Sequence, residues 1–205
     1  MSQDGDFGKK FEIRCGITIA FFAAVLAVAD LFGGKVGDDE LKAVNEKASA
    51  FMWYQAKSIK ENVVEGQTRL LQALDSAGAV EPARRSAVRA HIANLMKDVE
   101  KYKREKREIL QGSETVGREN WVQEVNGEFG RIVGALEWDK TASLLGAAGD
   151  RLDLASLFLQ LCLVIGATSL VLANPRSRRF FYWIMVGLGT VGSVIGMAAY
   201  RLLPF

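Results

Sequence analysis

Hydrophobic and polar positions are sharply segregated along this chain. Three segments are almost purely apolar: Cys15–Gly34, Leu154–Ala173 and Phe180–Tyr200. Their 61 residues hold 45 apolar side chains and one charge, Asp30. A helix needs about 20 apolar residues to cross a hydrocarbon core, at roughly 1.5 Å per residue. Each segment has that length, so the pattern predicts an all-α integral membrane protein with three transmembrane helices, over 15–34, 154–174 and 180–201. A tail (1–14) precedes the first span, and a basic turn (175–179) joins the other two. Lys9, Lys10 and Arg14, with Ala27-Val28-Ala29 downstream, would also fit a secretory leader. The helical pattern continues past that point without a linker, which predicts a retained span.

The region 35–153 has a different period. Leu41, Val44, Ala48, Phe51, Gln55, Ile59, Val63, Gly66, Leu70 and Leu74 recur at threes and fours. That predicts one long amphipathic helix over about 39–76, capped by Asp38 or Asp39. Ser76–Ala79 ends it, and Pro82 suits the first turn of a second helix over about 82–111. Val88, Ile92, Leu95, Val99, Tyr102, Lys106 and Ile109 form a heptad seam there, broken by Lys106. A weaker pattern, Val122, Val125, Phe129, Ile132 and Leu136, predicts a third helix over about 119–150, weakened by Gly127, Gly130 and Gly134. The chain leaves and re-enters the membrane on one face, so upright helices must come in an even number. The expectation is an extramembrane helical hairpin, coiled-coil-like, with a third element broken or bent within 112–134.

Charge adds orientation. The region 35–153 carries 19 Lys+Arg and 20 Asp+Glu, a balance that offers no basic field to nucleic acid. The short flanks are different. Lys9, Lys10 and Arg14 precede the first span, and Arg176, Arg178 and Arg179 lie between the second and third. Positive short flanks mark the cytoplasmic side. The prediction is a multi-pass protein of the bacterial inner membrane, N-terminus inside and helical domain periplasmic or otherwise extracytoplasmic. Phe180–Trp183 and Tyr200 suit the two interfaces. Asp30 reads as an interfacial anchor, with an ion-pathway carboxylate as the alternative. Gly189, Gly192 and Gly196 are helix-packing candidates, for contact either among the chain's own spans or with another copy.

Catalytic chemistry is not evident. The polar region has no cysteine and one histidine, His91, so a metal site is not expected. No phosphate-binding glycine loop or nucleophile elbow occurs, and no cofactor or small-molecule substrate is implied. Cys15 and Cys162 are expected as packing residues, at levels too different for a disulfide.

Trp53-Tyr54-Gln55-Ala56-Lys57-Ser58-Ile59-Lys60 resembles the signature of a bacterial membrane family known as a domain of unknown function, number 4337. Tyr102–Ile109 resembles that family's second charged helix. Ala135–Glu137 and Leu152–Leu161 resemble its approach to the second span. Gln111–Ile132 is longer than the family pattern. The resemblance covers most of the chain and implies architecture, one span, a helical domain and a paired hairpin of spans, without an activity. Trp53, Tyr54, Gln55 and Lys57 are the candidates for a partner surface, with internal packing of Trp53 and Tyr54 as the alternative. The functional expectation is a non-enzymatic scaffold or accessory subunit that binds a protein partner, or another copy, through its extramembrane helices. The rival is a homo-oligomeric channel or transporter component, using Asp30, Gln160, Thr168 and Ser169. A membrane-bound hydrolase is a distant third.

Overall fold

A computed structural model describes the backbone of residues 3–203 and the side chains of residues 8–203. Met1 and Ser2, part of the predicted tail, lie outside the described residues. Among the described residues there are five α-helices: α1 (Gln3–Ser76), α2 (Arg85–Gln111), α3 (Ser113–Val116), α4 (Ala135–Val171) and α5 (Pro175–Tyr200). A two-stranded hairpin, β1 (Glu124–Val125) and β2 (Glu128–Phe129), lies between α3 and α4. The chain is thus essentially all-α. α1, α4 and α5 are each long and apolar enough to cross a membrane.

Several predicted boundaries need correction. The first span and the first polar helix are one uninterrupted helix, and neither Asp38 nor Asp39 caps a new one. Gly33, Gly34 and Gly37 each cost about 1 kcal/mol relative to alanine. No proline breaks the run, and propagating an existing helix is easier than nucleating a second. No helix spans 119–150. Residues 118–120 form a 3-10 turn, the hairpin follows, and α4 starts at Ala135 and runs unbroken to Val171. The hairpin turns on Asn126 (φ 54°) and Gly127 (φ 82°), the left-handed pair that an Asn-Gly turn supplies. Finally, the basic segment 175–179 is not a loop. Pro175 opens α5, and the Asn174 side chain caps it by accepting from the Arg176 amide at 3.0 Å.

The chain divides into two compact units, Met1–Leu41 with Thr141–Phe205, and Lys42–Lys140. In the first, α1 and α5 run parallel and α4 antiparallel to both. Cys15 meets Ser169, Asp30 meets Ser156, and Phe11 and Phe32 meet Tyr182 and Tyr200. Cys15, Phe22, Leu159, Cys162 and Met185 form its buried core. Both cysteines are free and buried.

In the second unit, α1 and α2 form an antiparallel hairpin. Asp75 pairs with Arg89 toward one end, and Glu61 and Lys57 pair with Lys106 and Glu105 toward the other. From α2, Ile92, Leu95, Val99 and Ile109 are buried, as its heptad seam requires.

Candidate functional site

The face that α1 turns toward α2 is not its most apolar one. Tyr54, Lys57, Glu61, Val64, Thr68, Leu71 and Asp75 are buried or half-buried. Two ion pairs lie in this seam. Lys57 Nζ sits 2.6 Å from Glu105 Oε2, with side chains 17% and 6% exposed. Lys106 Nζ pairs with Glu61 Oε2. Each ammonium also faces a ring of the other helix. Lys106 Nζ is 5.4 Å from the Tyr54 centroid, and Lys57 Nζ is 6.0 Å from that of Tyr102. Each helix thus lends the other a lysine, a glutamate and a tyrosine. The tyrosine faces attract the cations, and the paired charges neutralise one another where water is scarce. Lys106, the residue that breaks the heptad seam, is a member of this lattice.

The four predicted partner residues therefore separate. Tyr54 and Lys57 point into the hairpin and serve its packing. Trp53 is 36% exposed, and Gln55 is exposed on the opposite side of α1. That opposite side carries Val44, Ala48, Met52, Gln55, Ile59, Val63, Gly66, Leu70 and Leu74, every one exposed. Its large apolar members are 41–64% exposed. Met52, not the half-buried Phe51, continues this stripe. No charged residue interrupts it.

The segment after α2 is organised by a buried carboxylate. Glu108, fully buried, accepts from Ser113 Oγ and from the Val122 and Gln123 amides, each at 2.8 Å. Ser113 Oγ in turn accepts from the Ile132 amide at 3.0 Å, and Trp121 Nε1 donates to the Ser113 carbonyl at 2.6 Å. Glu137 accepts from the Gly134 amide at 2.9 Å. Gly134 must be glycine: a Cβ there would strike the Gly112 backbone. Nothing local in the sequence marks Glu108 for this role, because its partners lie 5–15 residues away.

In the first unit, the three glycine candidates lie against the chain's own helices. A Cβ on Gly189 would enter the Phe22 ring. One on Gly192 would lie 3.0 Å from the Ala155 carbonyl and Leu159 Cγ, and one on Gly196 3.6 Å from Ala155 Cβ. The channel candidates do not gather as a set. Ser169 is fully buried beside Cys15. Thr168 is exposed and hydrogen-bonds its own helix. Asp30 and Gln160 do share a cleft of about 360 Å³, with Asp153 and Ser156. Ser156 Oγ donates to Asp30 Oδ1 at 2.7 Å.

Among the described residues, no three His, Cys, Asp or Glu side chains converge as a metal site. His91 is exposed on α2. Exposed Lys103 donates to Glu100 at 3.0 Å, and that hydrogen bond, with the carboxylate's charge, raises its pKa above the usual lysine value. An open surface pair of this kind stabilises little.

The class defined so far is an essentially all-α protein with three membrane-length apolar helices and an ion-paired helical hairpin. The family model described as "Domain of unknown function (DUF4337)" matches residues 11–202, and the chain belongs to that family. No curated protein matches the chain. No solved structure matches it. The two stretches that resemble the family pattern, Trp53–Lys60 and Tyr102–Ile109, supply both sides of the Lys57–Glu105 and Lys106–Tyr54 contacts.

Proposed function

We propose that this is a three-span protein of the bacterial inner membrane, acting as a non-enzymatic scaffold or accessory subunit through its extramembrane helices. The observation that carries the reading is the outward apolar stripe of α1. It runs roughly 45 Å at the helical rise and is about one helix face wide, ~10 Å. A contiguous patch of that order, ~450 Å², is at the size where exposed apolar surface on a soluble face marks an interaction site.

Orientation has support as well. Arg178 Nη2 lies 3.1 Å from Glu12, so the two basic flanks occupy the same end of the α1–α4–α5 unit. A shared positive end favours the cytoplasm for both. The hairpin then lies outside the cytoplasm.

The test is a photo-crosslinking amino acid placed at Ile59 or Leu70 in the full chain, in native membranes. Both positions should give discrete protein adducts, while exposed Asn94 on α2 should give none. Absence of adducts from the stripe would overturn the reading.

A channel or transporter component remains the second reading, favoured by one observation: Asp30 and Gln160 line one cleft. Ion flux into liposomes holding the protein, abolished by Asp30→Asn or Gln160→Leu, would support it. Absence of flux would remove it.

A further inference from the structure

The stripe of α1 has a strict step. From Leu41 it advances by three, four and four residues, three times over: Leu41, Val44, Ala48; Met52, Gln55, Ile59; Val63, Gly66, Leu70; and then Leu74. Eleven residues in three turns is 3.67 residues per turn. A straight α-helix has 3.6, so this repeat stays on one face with a small right-handed drift. Such a repeat is the mark of a helix that pairs along its length with another of the same period. α2 does not supply that partner, since it occupies the opposite face through the Lys57–Glu105 and Lys106–Glu61 pairs.

We infer that the partner on this stripe is a second copy of the same chain, joined α1 to α1, parallel and in register. The inference rests on the scaffold reading and names its first partner. Three observations select a second copy over an unrelated apolar helix. The first is Gln55, the one polar member of the step. An amide both donates and accepts, so across a two-fold axis each Gln55 meets its own counterpart and both are satisfied. Against an apolar partner it would be buried unpaired. A lone seam amide of this kind also fixes register.

The second is size. Two faces of roughly 45 Å by 10 Å cover ~900 Å², close to the ~1,000 Å² at which specific interfaces begin. The neighbours Asn45, Ala56, Asn62 and Ala73, all exposed and uncharged, widen the seam past that mark. The third is direction. Two copies read as anchored in one membrane emerge the same way, so identical levels of α1 meet. A closed two-fold contact places each residue against itself. Small residues at Ala48 and Gly66 give room for the helices to approach.

The experiment uses the full chain in native membranes, on a Cys15→Ala/Cys162→Ala background. Single Ile59→Cys and Leu70→Cys chains are oxidised and compared with an Asn94→Cys control. Both stripe positions should give disulfide-linked dimers and the control none. Two differently tagged chains, one with Val44→Cys and one with Leu70→Cys, should not cross-link to each other. Oxidised dimer from the control at a similar yield, or from the mismatched pair, would overturn the inference. Native mass spectrometry from nanodiscs gives a second reading independent of oxidation. The parent should be dimeric and Ile59→Lys monomeric, with unchanged helicity. A monomeric parent also overturns the inference. If the photo-crosslinks described above join only other proteins, the second-copy inference fails while the scaffold reading stands. If they join nothing, both fail.

Discussion

Removing Lys57 isolates the energetic role of the buried lattice. Its ammonium is 2.6 Å from a Glu105 carboxylate that is 6% exposed. Lys57→Met keeps much of the side-chain volume and deletes the cation. What remains near Glu105 is Lys101, 4.0 Å away and 60% exposed, a weak and solvated substitute. Deleting one partner of a buried pair costs about 3–5 kcal/mol, and the nearby Lys101 places this site at the lower end, about 3 kcal/mol. Each 1.4 kcal/mol is a factor of ten. Amides of α2 that exchange through opening of the hairpin should therefore exchange about 100-fold faster. The assay is hydrogen exchange with mass spectrometry on the full chain in lipid nanodiscs, read on peptides covering 92–109. Two comparisons sharpen it. Arg69→Met breaks a pair whose side chains are 74% and 38% exposed, and a surface pair contributes less than about 1 kcal/mol, so exchange should rise less than about fivefold. Lys57→Met with Glu105→Leu removes both charges and should recover most of the protection, because apolar replacement of a buried pair is about neutral. Parental exchange in Lys57→Met, or a double variant as labile as the single one, would refute the reasoning.

Other sites give contrasting expectations. Ser113→Ala leaves the Ile132 amide and one Glu108 oxygen without their partner; it should cost about 1–3 kcal/mol and expose 122–132 to limited proteolysis, with α4 protection unchanged. Gly189→Ala drives a methyl into the Phe22 ring, and overpacking costs about 1–3 kcal/mol, so the melting temperature in detergent should fall. Gly187→Ala, with open space around its Cβ, should leave it unchanged or raise it. A periplasm-dependent reporter inserted at the exposed Asn126-Gly127 turn should be active, and a cytoplasm-dependent one silent; the reverse pattern would reject the proposed orientation.

Much of the helical plan was legible because it repeats. Three apolar runs of membrane length stand out by composition, and they fall on α1, α4 and α5, of which the first two are much longer than their runs. The heptad of α2 likewise names its own buried face. The boundaries that differ turn on local signals: three glycines without a proline do not end α1, and Asn174 with Pro175 opens a helix rather than a loop. Asn126-Gly127 was the missed signal. Val122, Val125, Phe129 and Ile132 fall at helical spacing, which masked a hairpin only two residues deep on each strand. Even so, a turn with both residues at positive φ cannot sit inside a helix. The Glu108 hub left no mark, since a charged residue at the end of a charged helix reads as surface.

The candidate site was harder for a different reason. Periodicity finds an apolar face without saying what meets it. The Leu41–Leu74 face looks like the inside of a hairpin, and half a turn of rotation would make it so. The resulting hairpin would bury leucines, valines and an isoleucine where this one holds two half-buried lysines and two buried glutamates. Ion pairs are a weak source of stability, so stability alone would favour the rotated arrangement. What opposes it is specificity. Rotating α1 would strand Glu105 and Lys106, held in the seam of α2, against apolar side chains, and would expose Lys57 and Glu61 to water without their partners. The lattice thus fixes the rotation of α1, and the consequence of that rotation is an unbroken, charge-free, eleven-residue repeat facing outward. A hairpin that needed only its own stability would not keep its best apolar face in water. One that holds this face available for another helix would.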